Sequence, residues 1–342
     1  PRRRAEPWRK AIDQALARQA SLAEQLPTQP AHARSVPAQV PHGIELLHEG
    51  ALKCEEPGGY GECKWKLYEA WSGQSRDERG ILVLWLHGMD NADIPSKTLG
   101  QMQERLKRRV YFLVPLNPAG HGALRFDWGI CYERHQNKNG LGFVYGETHD
   151  RFLGDLCGLT QELAQKVHAA HVVAMGYSMG GFGVYQVAGH DSSVFDAAVA
   201  IAGYGRGTRE GPGAHSFAAK QPEAGDRLDE FLRRIGPRLA RVAKVLVVHA
   251  RNDTVSSFTD AEYIVAWVQR AGGCAELLEV PEARADSDPR GRKRQRSGHN
   301  YFHHVLLPSV EEESCLYERL REFLDERRVR KRGLEMPTSV AA

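Results

Sequence analysis

Short apolar runs at residues 81–86, 110–116, 171–175, 197–202, 245–249 and 275–280 are separated by longer amphipathic stretches, and this succession restricts the fold more than any other feature. Each run has the length of one strand. Its near-continuous apolarity marks a strand buried on both faces, since a half-exposed strand alternates apolar with polar residues. Between the runs, Phe152, Leu153, Leu156, Leu159, Leu163 and Val167 recur at helical spacing, as do Tyr263, Ile264, Trp267 and Val268 after Asp260. Strand alternating with helix predicts an α/β fold: a mostly parallel central sheet with helices on both faces. In such sheets ligands bind beyond the carboxyl ends of the strands.

The flanks read differently. Residues 1–42 hold a helical pattern (Ala11, Ile12, Ala15, Leu16, Leu22) and then Pro27, Pro30, Pro37 and Pro41. Proline removes a backbone donor and breaks helices, so an N-terminal helical arm and a proline-rich linker are expected. Residues 43–71 alternate as two antiparallel strands around a glycine-rich turn. The main domain is expected over 43–328. Its last helix, at about 310–328, has Ser309 and Glu312 spaced as a capping box and Leu316, Leu320, Phe323 and Leu324 on one stripe. A basic, flexible tail is expected over 329–342.

Composition excludes several classes. No run of about 18 apolar residues occurs, so no transmembrane helix is expected. Three basic runs, at 2–10, 290–296 and 327–332, leave 31 basic against 42 acidic residues elsewhere, a net of −11. The body is acidic and the positive charge is appended to it. With no recognisable reading motif, no nucleic-acid partner is expected. The six cysteines are scattered and read as reduced thiols, Cys54 and Cys63 being the one pair a hairpin could bring opposite. No apolar signal-peptide core opens the chain, and a cytoplasmic location is expected.

The chemistry concentrates where the 171–175 strand runs into Gly176-Tyr177-Ser178-Met179-Gly180-Gly181 and then into a helix. Strand, Gly-x-Ser-x-Gly and helix are the context of a nucleophile elbow, which exposes the serine at the end of a strand. A serine hydroxyl needs a base, and the base needs an orienting acid. In the chain order Ser, Asp, His, the acid is Asp253, in the loop after the 245–249 strand, with Asp260 read as an early helical residue. The base is His299, which follows Gly298 after the last strand and is preferred to His303. Two backbone amides would hold the oxyanion: Met89, in His87-Gly88-Met89-Asp90 after the 81–86 strand, and Met179.

On these four segments, His87-Gly88-Met89-Asp90, Gly176 to Gly181, Asn252-Asp253-Thr254-Val255 and Gly298-His299, the chain resembles the α/β-hydrolase superfamily over residues 45–328. Within it the chain is similar to the phospholipase/carboxylesterase and feruloyl-esterase-like branch. The resemblance implies a serine esterase or thioesterase acting on a small-molecule ester or acyl substrate, with no metal and no organic cofactor. Acyl transfer to another acceptor, peptide cleavage, and a non-catalytic binding protein on the same fold stay open. Trp128, in the aromatic segment 126–145, resembles a wall of the substrate pocket, and Tyr177 is read with it as substrate-binding. Residues 205–243 fall where the superfamily inserts caps, making Phe231, Leu232 and Ile235 candidates to face the site. The chain departs from the family in its long basic segment at 282–297. Nothing in the sequence sets an oligomeric state.

Overall fold

The computed structural model describes residues 42–54, 59–72, 79–88, 94, 96–116, 124–126, 128, 130–137, 140–148, 150–203, 224–253, 256–280, 305 and 315–334. The N-terminal arm and linker, Met89, the 290–296 basic run, His299 and His303 lie outside the described residues.

Eight strands form the main sheet in the order β1-β2-β4-β3-β8-β9-β10-β11. They are β1 (His42–Cys54), β2 (Gly61–Ser72), β3 (Ile81–Leu86), β4 (Val110–Pro115), β8 (His171–Tyr177), β9 (Ala197–Ile201), β10 (Lys244–Ala250) and β11 (Ala275–Val280). Strand β2 runs antiparallel to both β1 and β4, and the pairs from β4 to β11 are parallel. The six apolar runs are all strands of this sheet. Strand β3 shows why they are continuous: Leu82, Leu84 and Leu86 pack into one core, and Ile81, Val83 and Trp85 into another on the opposite face.

Helices supply the other half of each core. Helix α1 (Ser96–Leu106) contributes Leu99, Met102 and Leu106 beside Leu316, Leu320 and Leu324 of α6 (Cys315–Leu334). The opposite face is covered by α2 (Asp150–Lys166), α3 (Met179–His190), α4 (Ala224–Leu239) and α5 (Phe258–Arg270). Helix α3 is buried along nearly its whole length, Met179 through Gly189.

Some expectations are corrected. The segment around residues 124–148, where no strand was expected, is a three-stranded antiparallel sheet of β5 (Leu124–Phe126), β6 (Ile130–Asn137) and β7 (Gly140–Thr148). The final helix continues to Leu334, past the expected end at 328 and into the basic run. Cys54 pairs in register with Gly61, and Cys63 with Leu52, so the two thiols are offset along the ladder. Both are free; Cys63 Sγ donates to the Leu116 carbonyl at 3.0 Å, and burial pushes its thiol up to about 12.

Helix α4 is not a cap over the site. Phe231, Leu232 and Ile235 are buried in the core, Phe231 stacking on Phe182 of α3 with ring centroids 5.3 Å apart. A hydrophobic face that packs on the central helix supports the fold. Phe231→Ala should therefore lower unfolding free energy by about 3–5 kcal/mol, the cost of emptying a buried aromatic site. Urea denaturation of the two proteins measures it.

Candidate active site

Strand order reverses between β3 and β8, since the chain proceeds from β3 outward to β4 on one side and later from β8 outward to β9, β10 and β11 on the other. Loops leaving neighbouring strands at such a point diverge and open a crevice. Ser178 leaves β8 there, and His87-Gly88 leaves β3.

Ser178 adopts φ 55° and ψ −115°, a region L-residues avoid at a cost of about 1–3 kcal/mol. Its N–H donates to the Ile201 carbonyl at the end of β9 (2.8 Å), and its carbonyl accepts from Phe182 N–H one turn into α3 (3.0 Å). Its side chain makes no capping bond to α3. Neighbouring glycines permit this turn. A Cβ on Gly180 would sit 1.9 Å from the Leu86 carbonyl oxygen, and one on Gly176 2.3 Å from the Gly180 oxygen. The elbow is thus pressed against the end of β3.

The loop from β3 is fixed by side chains. The His87 carbonyl accepts from the Trp128 indole N–H at 2.9 Å, and His87 Nδ1 lies 2.6 Å from the Gly88 carbonyl oxygen. The two rings meet edge to face at 4.8 Å. Gly88 comes close to the serine: a Cβ built on it would be 3.6 Å from Ser178 Cβ and 3.4 Å from the Tyr177 ring. Met179 stands first in α3, where an amide has no partner within its own helix.

The loop of Asp253 is joined to the same strand ends. Ala202, just after β9, donates its N–H to the Val248 carbonyl and accepts from Ser256 Oγ, both at 2.9 Å. Ser256 N–H donates to Asp253 Oδ1 at 2.9 Å. Asp253 is buried, with its N–H bonded to the Ala250 carbonyl. Asp260 lies in the first turn of α5, its N–H bonded to the Ser257 cap, as the sequence suggested.

Of the residues picked from sequence, Ser178, Met179 and Tyr177 share the elbow, and Asp253 is close enough to Tyr177 for its charge to act there. Burial, and secondarily that carboxylate, push the Tyr177 phenol upward, so it stays protonated. Trp128 is fully buried, its side chain packed against the backbone of Gly183 and donating to His87. Sequence reasoning named His87 only as part of its loop, and passed over Ser256 and over His249, whose signal was polarity at the end of a buried strand.

A cavity of about 470 Å³ lies at the other ends of these strands, lined by Glu69, Arg79, Gly80, Arg109, Lys166 and His168 among others. It holds an Arg109–Glu69 ion pair. Among the described residues, no group of three or more His, Cys, Asp or Glu is placed to hold a metal, and no helix is long and apolar enough to cross a membrane.

Residues 143–306 match the prolyl oligopeptidase family. No curated protein matches the sequence. Carboxyl esterase 2 from the mycorrhizal fungus Tuber melanosporum is similar in structure at a TM-score of 0.51 and 13% identity, over 91% of this chain and 97% of that one. A hyperthermophilic esterase from the archaeon Pyrobaculum calidifontis gives a TM-score of 0.50 and 12% identity, over 94% and 91%. A thermostable esterase aligns at 0.46 and 15% identity over 82% of this chain, which spans 62% of that esterase's length. The sheet order, the elbow at the switch point and the first two likenesses agree: this chain is an α/β-hydrolase by fold.

Proposed function

We propose that the protein is a serine hydrolase that cleaves a small-molecule carboxylic ester or thioester through an acyl-enzyme. The observation that carries this reading is the strained Ser178, held at the carboxyl end of β8 beside Gly88. Backbone strain of this kind persists only where the surrounding structure over-determines it, and it gathers at active sites. Ser178 Oγ attacks the carbonyl carbon while His299 takes its proton. The carbon–oxygen or carbon–sulfur bond then breaks, and His299 returns the proton to the leaving alcohol or thiol. Water attacks the acyl-enzyme, giving its proton to His299 and releasing the acid. Asp253 orients the imidazole.

The Met89 and Met179 amides hold the oxyanion. Support comes from the preceding residues, where the Trp128 indole N–H donates to the His87 carbonyl and His87 Nδ1 lies against the Gly88 carbonyl oxygen. In this reading Trp128 acts through His87 rather than on substrate. No metal or organic cofactor takes part. A cytoplasmic location accords with the free, buried thiols of Cys54, Cys63 and Cys157.

The match to the prolyl oligopeptidase family over 143–306 favours a second reading, a serine peptidase using the same residues on an amide. Hydrolysis of p-nitrophenyl esters and thioesters of graded chain length, set against peptide p-nitroanilides, separates the two. With the best substrate, Ser178→Ala should lower kcat by about 10⁴- to 10⁶-fold, and His299→Ala nearly as much, because triad members act as a unit. Asp253→Asn should also be severe. If His303→Ala loses activity while His299→Ala keeps it, the base is His303.

Trp128→Phe keeps an aromatic, though smaller, side chain and removes the indole N–H with its hydrogen bond, worth about 1 kcal/mol. It should lower kcat roughly five- to tenfold, with KM within about twofold. A raised KM at native kcat would instead put the indole on the substrate.

A further inference from the structure

His249 stands next to last in β10, the strand that leads into Asp253, and its ring is fully buried. The preceding residues of that strand, Val245 to Val248, are apolar, and an apolar residue would fill the same space without desolvating a polar ring. The ring is aimed at the acid's loop: Nε2 lies 3.1 Å from the Ser256 carbonyl oxygen and 3.5 Å from Asp253 Oδ2. Both neighbours only accept hydrogen bonds, so Nε2 carries a proton. Phe258 closes the other side, edge to face at 6.1 Å.

Asp253 thereby has a neighbour facing each carboxylate oxygen. Oδ1 accepts from Ser256 N–H at 2.9 Å, and Oδ2 faces the His249 ring. Ser256 connects the two, because its carbonyl meets His249 and its hydroxyl is anchored to the Ala202 carbonyl at 2.9 Å. The last torsion of an aspartate is broad and roughly two-fold, so its carboxylate keeps one rotation only where partners set it. A carboxylate has about four lone-pair sites. Ser256 and His249 together use part of that capacity and leave the rest at a defined angle.

We propose that His249 is a positioning residue for Asp253: its Nε2–H, directed between the Ser256 carbonyl and the Asp253 carboxylate, fixes the rotation from which Asp253 orients the catalytic imidazole. This role rests on Asp253 being the acid of the triad. It is distinct from the base, because His249 meets Asp253 from inside the sheet, on the strand that carries it.

The test measures kcat and KM for p-nitrophenyl acetate in the full chain bearing His249→Leu, His249→Gln, Asp253→Asn, and His249→Leu combined with Asp253→Asn. His249→Met replaces His249→Leu should the latter not fold. His249→Leu should lower kcat by about 10- to 100-fold, the scale of a small misplacement in an active site, with KM within about twofold. His249→Gln, which restores an N–H at similar depth, should recover most of the loss. On the Asp253→Asn background His249→Leu should change kcat by less than about twofold, since the effect travels through the carboxylate. An equal loss on both backgrounds, or native kcat in His249→Leu beside a disabled Asp253→Asn, would overturn the role alone. Native kcat in Asp253→Asn or in Ser178→Ala would overturn the triad, and the role with it.

Discussion

Ser178 at φ 55° and ψ −115° survives only because contacts from separate parts of the sheet hold it there. Strand β9 supplies the Ile201 carbonyl, α3 supplies Phe182 N–H, and β3 presents the Leu86 carbonyl against Gly180. No two of these are neighbours in sequence. They meet because β3, β8 and β9 lie side by side in parallel, so strand order comes before chemistry. The same strand ends pass the constraint on: Ala202 ties β9 to Val248 in β10 and, through Ser256, to the loop of Asp253. The elbow and the Asp253 loop therefore belong to one hydrogen-bonded edge, and strain at the serine is offset by packing over the whole sheet.

How much of this was legible in the sequence depended on whether a residue's partner could be read from its own neighbourhood. The six core strands were legible because burial on both faces leaves an unbroken apolar run. Strand β6 was not: Glu133, Arg134, His135, Gln136 and Asn137 give no apolar run, and the strand pairs only with its local neighbours β5 and β7. Helix α4 shows a middle case, since the stripe of Phe231, Leu232 and Ile235 declares an apolar face without saying what it meets. It meets α3, through the Phe182 stack and the close approach of Ile235 to Gly189. Trp128 was picked for its aromaticity, and the reason for its place, the His87 carbonyl, lies 41 residues away. His249 looked like the polar end of a strand.

Ester and amide cleavage would use the same serine, acid and oxyanion donors here. They differ in the leaving group, because an amine departs only when the imidazolium gives it a proton. On the proposed triad the angle at which Asp253 holds the base would then matter more, and Ser256 and His249, which face its two oxygens, would set that angle. Trp128 and His87 would do the corresponding work on the proposed oxyanion side.

The central claim, that Ser178 is an activated nucleophile, is tested most directly by treating the folded chain with a fluorophosphonate and locating the adduct by peptide mass mapping. The account predicts one adduct per chain, on the peptide containing Ser178, formed in the native protein and absent from Ser178→Ala. An unlabelled native chain, or an adduct that persists in Ser178→Ala, would contradict it.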